Sequence, residues 1–196
     1  YYKKEPFKTY MAANPFADLL MDTHRPTRQD TAVYTKLSFT QKMMKLEKEA
    51  TAASDKEQKA KFYYELAKGF YHMSYWGNSW LLAEYSWSSS EAGYDNKDSS
   101  SFGNSQNPDY YLVNKSKDYY LMASSNTINQ NFKARCIYMA AKCEKKKYGE
   151  MPYYYENNAE YKSKVMDWIN TFDRSTKYYT ILQKQYSNTA FYKEAF

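Results

Sequence analysis

Glycine and proline are scarce, with five of each in 196 residues. A many-turned β fold draws heavily on both, so their scarcity favours helices. Histidine is scarcer still: only His24 and His72 occur. No His-x-x-x-His, Glu-x-x-His or Cys-x-x-Cys spacing appears, which leaves a zinc or di-iron centre without ligands in the expected pattern. The glycines are scattered, so there is no phosphate-cradling loop and no Gly-x-Ser-x-Gly elbow. Carboxylates are plentiful, yet no pair stands in an apolar setting that would drive two pKa values apart. The expectation is a protein that is not an enzyme, with no catalytic residue, cofactor or metal. No uncharged apolar run approaches the roughly 20 residues needed to cross a bilayer, so no transmembrane segment is expected.

Cysteine is limited to Cys136 and Cys143, seven residues apart. On one helix that separation is about 10.5 Å of rise, beyond the roughly 7 Å that a disulfide tolerates between Cα atoms. Both are read as small buried hydrophobes, which say nothing about the redox compartment. A surplus of one charge sign is also nearly lacking. Lys and Arg total 28 against 22 Asp and Glu, a mild excess of 6, and many lysines alternate with acids over Lys42–Lys48 and Lys56–Lys61. Lys145-Lys146-Lys147 is the one run of three. It reads as a solvated helix end that complements the helix dipole. Nucleic-acid binding would need a clustered basic stripe, so no nucleic-acid partner is expected.

What the chain does have is tyrosine, 24 residues of it, often in pairs such as Tyr63-Tyr64, Tyr110-Tyr111 and Tyr119-Tyr120. A ring with an apolar body and a polar tip suits half-buried helix seams, and tyrosine is read chiefly as filler of a thin two-layer core. An aromatic ligand-binding surface is the competing reading.

The first 37 residues carry three of the five prolines and read as an N-terminal arm, with a short helix over Asn14-Pro15-Phe16-Ala17-Asp18-Leu19-Leu20. A helix is predicted from about Ser38, where Ser38-x-x-Gln41 has the form of a capping box, and Asp55-x-x-Gln58 offers a second start. That second helix runs to about Ser74. Tyr75-Trp76-Gly77-Asn78 reads as a turn, and another helix is predicted from about Trp76 to Ser88. Residues 88–108 are rich in Ser, Asn and Gly and cannot bury enough apolar surface to offset their ordering entropy; they read as an inserted loop, disordered rather than functional. Helical pattern resumes near Asp109 and ends around Ser124-Ser125-Asn126. It returns over Ala134–Cys143, with Cys136, Met139, Ala140 and Cys143 at offsets 0, 3, 4 and 7. Further helices are predicted over about 157–170 and 174–186, with a restart at Ala190 after a turn at Tyr186–Thr189. The chain has no initiating Met and Phe196 falls within helical pattern, so a piece of a longer protein is expected. A targeting signal could then lie outside it.

Tyr63, Leu66, Ala67 and Phe70 share one helical face, and Ser79, Ala83 and Ser86 are small residues at offsets 0, 4 and 7. Tyr63-x-x-Leu66-Ala67-x-x-Phe70 followed by Ser79-x-x-x-Ala83-x-x-Ser86 resembles the tetratricopeptide repeat, including the interval of 12 from Ala67 to Ser79. Cys136-x-x-Met139-Ala140-x-x-Cys143 resembles the first helix of another repeat, and Lys117–Ala123 the second helix of the repeat before it. The tail from Tyr186 to Ala195 resembles the inter-repeat joint of envelope-associated members, with Ser187 in place of their proline. The Asn-Pro-Phe arm and the Ala-Lys-Cys-Glu stretch at 141–144 also resemble uncharacterised bacterial envelope proteins with degenerate repeats. The departures are specific: no proline closes the first repeat near residue 91, the insert breaks the period, and Pro152 stands where a small residue is due after Ala140.

The resemblance implies an all-α, right-handed stack of antiparallel helical hairpins over residues 38–196 (a TPR-like α-solenoid). It implies a protein-binding scaffold in a bacterial envelope assembly, at the periplasm or outer membrane. A concave groove lined by the first helix of each hairpin would present Lys61, Tyr64, Lys68, Tyr71 and His72, a set suited to an extended or acidic peptide. The lysine–asparagine clamp that some members use on a C-terminal carboxylate is incomplete. Trp76, Trp80 and Trp87 fall with Ala83 on one stripe of the predicted second helix. They read as seam fillers, or, if exposed, as a platform for peptide or sugar rings. The alternative function is therefore a glycan-binding protein on the same scaffold.

Overall fold

The computed structural model describes residues 13–23, 34–84, 87, 107–146 and 177–196. Among them there are seven α-helices and no strand. In chain order they are α1 (Lys36–Ala52), α2 (Lys56–His72), α3 (Asp109–Leu112), α4 (Asn114–Asn126), α5 (Gln130–Lys145), α6 (Lys177–Tyr186) and α7 (Ala190–Ala195). The chain is thus all-helical among the described residues, with packed helices. The helix predicted over 157–170, His24, Lys147 and nearly all of the 88–108 insert lie outside them.

Local chemistry sets the helix starts. The capping box of α1 is Thr35 with Ser38, one turn earlier than Ser38 with Gln41: the Ser38 amide donates to Thr35 Oγ1 at 3.0 Å and the Thr35 amide to Ser38 Oγ at 2.9 Å. Asp55 caps α2 through the Gln58 amide at 2.6 Å, and Asn129 caps α5 through Phe132 at 3.1 Å. Thr189 caps α7 after the turn at Tyr186–Thr189, where the restart was predicted.

The helices form a layered stack. Short joints at residues 53–55 and 127–129 fold α1 back on α2 and α4 back on α5. The most extensive seam is α2 against α4. Its contacts pair Glu57 with Thr127, Tyr64 with Tyr120, and Ala67 with Ser116, so the two helices run antiparallel. Small residues let them approach: Ala67 and Ser116 are fully buried, and the Ser116 hydroxyl donates to the Ala67 carbonyl at 2.8 Å. α5 lies on the other side of α4 and runs parallel to α2, with Tyr64 near Phe132 and Tyr71 near Lys142.

Three apolar clusters fill the layers. α1 and α2 close over Phe39, Met43, Leu46, Ala50 and Leu66. The middle cluster contains six tyrosines (Tyr64, Tyr71, Tyr75, Tyr110, Tyr111 and Tyr120) with Cys136, Met139, Ala140 and Cys143. A third joins α5 to α6 and α7 through Ala134, Ile137, Leu182 and Phe191. Both cysteines are free and buried, and burial pushes the Cys143 thiol up to about 12.

Three sequence expectations are corrected. Among the described residues up to Glu84 no α-helix follows the turn at residue 76: α2 ends at His72, the chain folds tightly through 73–79, and a 3-10 turn forms at Trp80–Leu82. The antiparallel partner of α2 is α4, so the small-residue approach comes from Ser116 and Ala123 rather than from Ser79 and Ala83. Trp76, Trp80 and Trp87 accordingly share no helical stripe. Trp76 is buried at 4% exposure and its indole N–H donates to the Tyr111 carbonyl at 2.7 Å, while Trp87 stacks on Tyr75 and donates to its carbonyl at 3.0 Å. Second, Asn14–Leu20 is no helix. The Asn14 side chain accepts from the Phe16 amide at 2.9 Å, an Asx turn that competes with helix initiation, and chain without regular secondary structure follows, bending at Leu20 and Met21. Third, Lys146 is not a solvated helix end. Its side chain is 12% exposed, lies 3.8 Å over the Trp76 ring, and pairs with Asp22.

Candidate functional site

α2 and α5 run parallel, both packed on α4, and residues 13–23 lie along the two as a strap. Phe16 anchors one end among Tyr34, Phe39 and the Lys42 ammonium, which sits 3.8 Å over its ring. Leu20 packs against both the middle cluster and the α5–α6–α7 cluster.

Between and beyond these apolar anchors the contacts are polar, and they recur. Asp18 accepts the Tyr64 hydroxyl of α2 at 2.7 Å and pairs with Arg135 of α5 at 3.0 Å. Asp22 accepts the Tyr71 hydroxyl of α2 at 2.5 Å and pairs with Lys142 of α5 at 2.8 Å and with Lys146. Each carboxylate therefore takes one tyrosine from one wall and cations from the other. The Ala17 carbonyl accepts from His72 Nε2 at 3.0 Å, and the Leu20 carbonyl accepts from Lys142 Nζ at 2.5 Å. Asn78 Nδ2 donates to the Asn14 carbonyl at 3.3 Å.

The electrostatics follow from this geometry. Partial burial alone would raise the Asp22 carboxyl; Lys146 and Lys142 more than reverse it and hold the group well below the usual carboxylate range. Burial, reinforced by Asp18 and Asp22, pushes the Tyr64 and Tyr71 phenols far above the ordinary tyrosine range, so both remain donors. His72 is 2% exposed, and burial lowers it to about 4. It is neutral at pH 7. With the Nε2 proton directed at Ala17, Nδ1 has no hydrogen-bond partner among the described residues.

Of the five groove residues named from sequence, Tyr64, Tyr71 and His72 meet the strap directly. Lys68 is buried at the same wall, 5.3 Å over the Tyr64 ring and paired with Glu65 at 2.6 Å. Lys61 is exposed and stands apart. Sequence reasoning missed the opposite wall, Arg135, Lys142 and Lys146, and it missed the occupant. A usable signal was present: Arg135 and Lys142 are seven apart, as are Tyr64 and Tyr71. Among the described residues no cluster of His, Cys, Asp or Glu could hold a metal ion, and no helix is long and apolar enough to cross a membrane. No protein family, curated protein or solved structure matches this chain.

Proposed function

We propose that this chain is a non-enzymatic protein-binding scaffold of tetratricopeptide-like build, and that the groove between α2 and α5 holds an extended acidic peptide segment. The observation that carries the reading is the strap itself: a non-helical segment with two carboxylates already lies there, each held by a tyrosine and a cation. In this reading α2 and α4 are the two helices of one repeat-like hairpin and α5 opens the next. A right-handed superhelix and a place in a bacterial envelope assembly follow from the sequence resemblance. The glycan alternative needs open tryptophan faces. Trp76 offers none, being buried with Lys146 over its ring, and no observation favours that reading.

The test is a titration of the full chain with 11-residue acidic peptides, followed through the NMR signals of the His72 ring. Acidic peptides are expected to shift those signals, and lysine-rich peptides of equal length are not. Loss of the response in an Arg135→Ala, Lys142→Ala variant locates the site. Silence toward every acidic peptide at millimolar concentration, with hits on a glycan array, would sink the scaffold reading in favour of its alternative.

A further inference from the structure

We propose that an internal water molecule is a fixed part of the junction between the strap and α2, bound between His72 Nδ1 and the Lys68 ammonium; it does not depend on the peptide-groove reading above. The two groups are complementary. His72 is 2% exposed, and its Nε2 proton is directed at the Ala17 carbonyl at 3.0 Å. In that neutral tautomer Nδ1 is an acceptor, and it is a buried atom with no hydrogen-bond partner. Lys68 is 7% exposed and brings three N–H donors. One is directed at Glu65 Oε1 at 2.6 Å. Lys68 and His72 are four apart on α2, so they are neighbours on one helical face. Long helical side chains lean toward the preceding turn, which carries the imidazole toward Lys68. Lys68 leans the same way, toward Glu65 and the Tyr64 ring, so its ammonium and Nδ1 do not meet directly. Two hydrogen bonds through one water span about 5.5 Å, the scale of the roughly 5–6 Å between neighbours at this spacing.

The other polar groups around the ring are committed elsewhere. Lys142, Lys68 and Asp22 are the charged groups that bear on it. A carboxylate cannot donate. The Tyr64 and Tyr71 hydroxyls already donate to Asp18 and Asp22. Lys142 turns its ammonium to the Leu20 carbonyl at 2.5 Å and to Asp22 at 2.8 Å, both on the strap. Lys68 brings its remaining donors from the ring's own helix. An unpaired buried acceptor is costly, and internal waters bind where such unsatisfied polar groups converge. Solvent reaches the edge of the junction, where the side chains of Glu65 and Asp18 are 34% and 43% exposed. The water has a definite role. While Nδ1 accepts from it, the ring proton stays on Nε2 and the Ala17 carbonyl keeps its donor. The strap is then joined to α2 by one run of hydrogen bonds, from Ala17 through His72, the water and Lys68 to Glu65.

The experiment is NMR on the full chain at pH 7.5, with the histidine ring nitrogens labelled. A hydrogen-bonded acceptor nitrogen resonates upfield of a free one, and a bound water gives a rotating-frame Overhauser signal to the ring Hε1 beside it. The expected result for His72 is Nδ1 at the hydrogen-bonded position, with a water signal at Hε1. Lys68→Met keeps most of the aliphatic stem and removes the donors. It should move Nδ1 toward the free position and abolish the water signal. Lys68→Arg, which restores donors, should recover part of both. A free Nδ1 with no water signal in the wild-type chain would overturn the bound water. A signal to Hε1 from the Lys68 ammonium in place of water would overturn it as well, since the two groups would then touch directly. An Nδ1 position and water signal unchanged in Lys68→Met would remove Lys68 from the site. If circular dichroism shows Lys68→Met unfolded, the wild-type spectrum decides the water and Lys68→Arg decides the part of Lys68: an Nδ1 position identical in Lys68→Arg and wild type would exclude it as the donor.

Discussion

Gly69 and Gly77, eight residues apart, show how differently two glycines can be constrained. A Cβ on Gly77 would lie 2.2–2.5 Å from the backbone of His72, because the chain folds back through 73–79 until the Ser79 amide donates to the His72 carbonyl at 2.8 Å. Backbone cannot step aside. A Cβ on Gly69 would instead meet Met43 Sδ at 2.4 Å, the far end of a flexible side chain. Gly69→Ala gains roughly 1 kcal/mol of helix propensity that offsets the repacking of Met43 and Phe16. Gly77→Ala has no such compensation and is expected to cost about 3 kcal/mol or more. Urea unfolding of the two variants checks the order; a Gly77→Ala chain as stable as Gly69→Ala would refute the close approach at the turn. The same turn delivers His72 to the strap, so loss of Gly77 is also expected to loosen residues 13–23.

At the scale of elements, the joint between α3 and α4 carries visible strain and visible compensation. Val113 has φ 47°, ψ 36°, the left-handed region that a β-branched residue adopts at a cost of about 1–3 kcal/mol. Val113 is buried, and α4 has no cap from its own N-cap residue. Asp109 supplies one from the preceding turn: Oδ1 accepts from the Asn114 amide at 2.6 Å and Oδ2 from the Lys115 amide at 3.2 Å. Asp109→Ala should therefore cost about 1–2 kcal/mol, and Asp109→Asn, which keeps one acceptor, about half as much. Matching denaturation midpoints for wild type and Asp109→Ala would show that the joint is held by something else. This element also marks where the sequence was legible. The 3.6-residue periodicity on α2 and α5, the cap at Asp55 and the turn at Tyr186–Thr189 are local signals, and helices form where those signals stand, although α5 begins a turn earlier than its pattern, capped by Asn129. The partner of α2 was not legible, because the pattern at Ser79, Ala83 and Ser86 is compatible with a helix while the tight return through Gly77 is a tertiary fact. The strap was hidden for a related reason. Asp18 fell inside the short helix predicted over Asn14–Leu20 and Asp22 outside it, whereas the Asx turn at Asn14 and two distant helices bring them into one strap. Tyr64 and Tyr71 were named only through the resemblance of their helix to the first helix of a repeat, and the cationic side was missed because its meaning depends on what lies opposite.

For the whole molecule, the strap ties the stability of three clusters to pH. His72 sits where Ala17 of the strap, Asp22, Lys68 of α2 and Lys142 of α5 converge. Its burial lowers the pKa from an ordinary 6.5 to about 4, with the Ala17 carbonyl and Asp22 opposing that shift and the two lysines adding to it. The unfolded chain thus binds this proton first on acidification. The stabilisation is complete above pH 6.5 and is lost as pH falls toward 4, an effect of about 3 kcal/mol at most. Asp22 acts in the same direction at lower pH: its folded value is depressed, so its contribution is present above the ordinary carboxylate range and fades only as the medium becomes strongly acid. The midpoint of thermal unfolding should accordingly fall by roughly 6–12 °C between pH 7.5 and pH 4.5, with His72 setting the onset near pH 6.5. His72→Gln keeps a donor for the Ala17 carbonyl and does not titrate. In that variant the fall should start nearer pH 5 and be smaller, and the Tyr64 and Tyr71 contacts should persist at pH 5.5. An identical decline in His72→Gln and wild type would move the pH dependence away from this histidine and from the groove it closes.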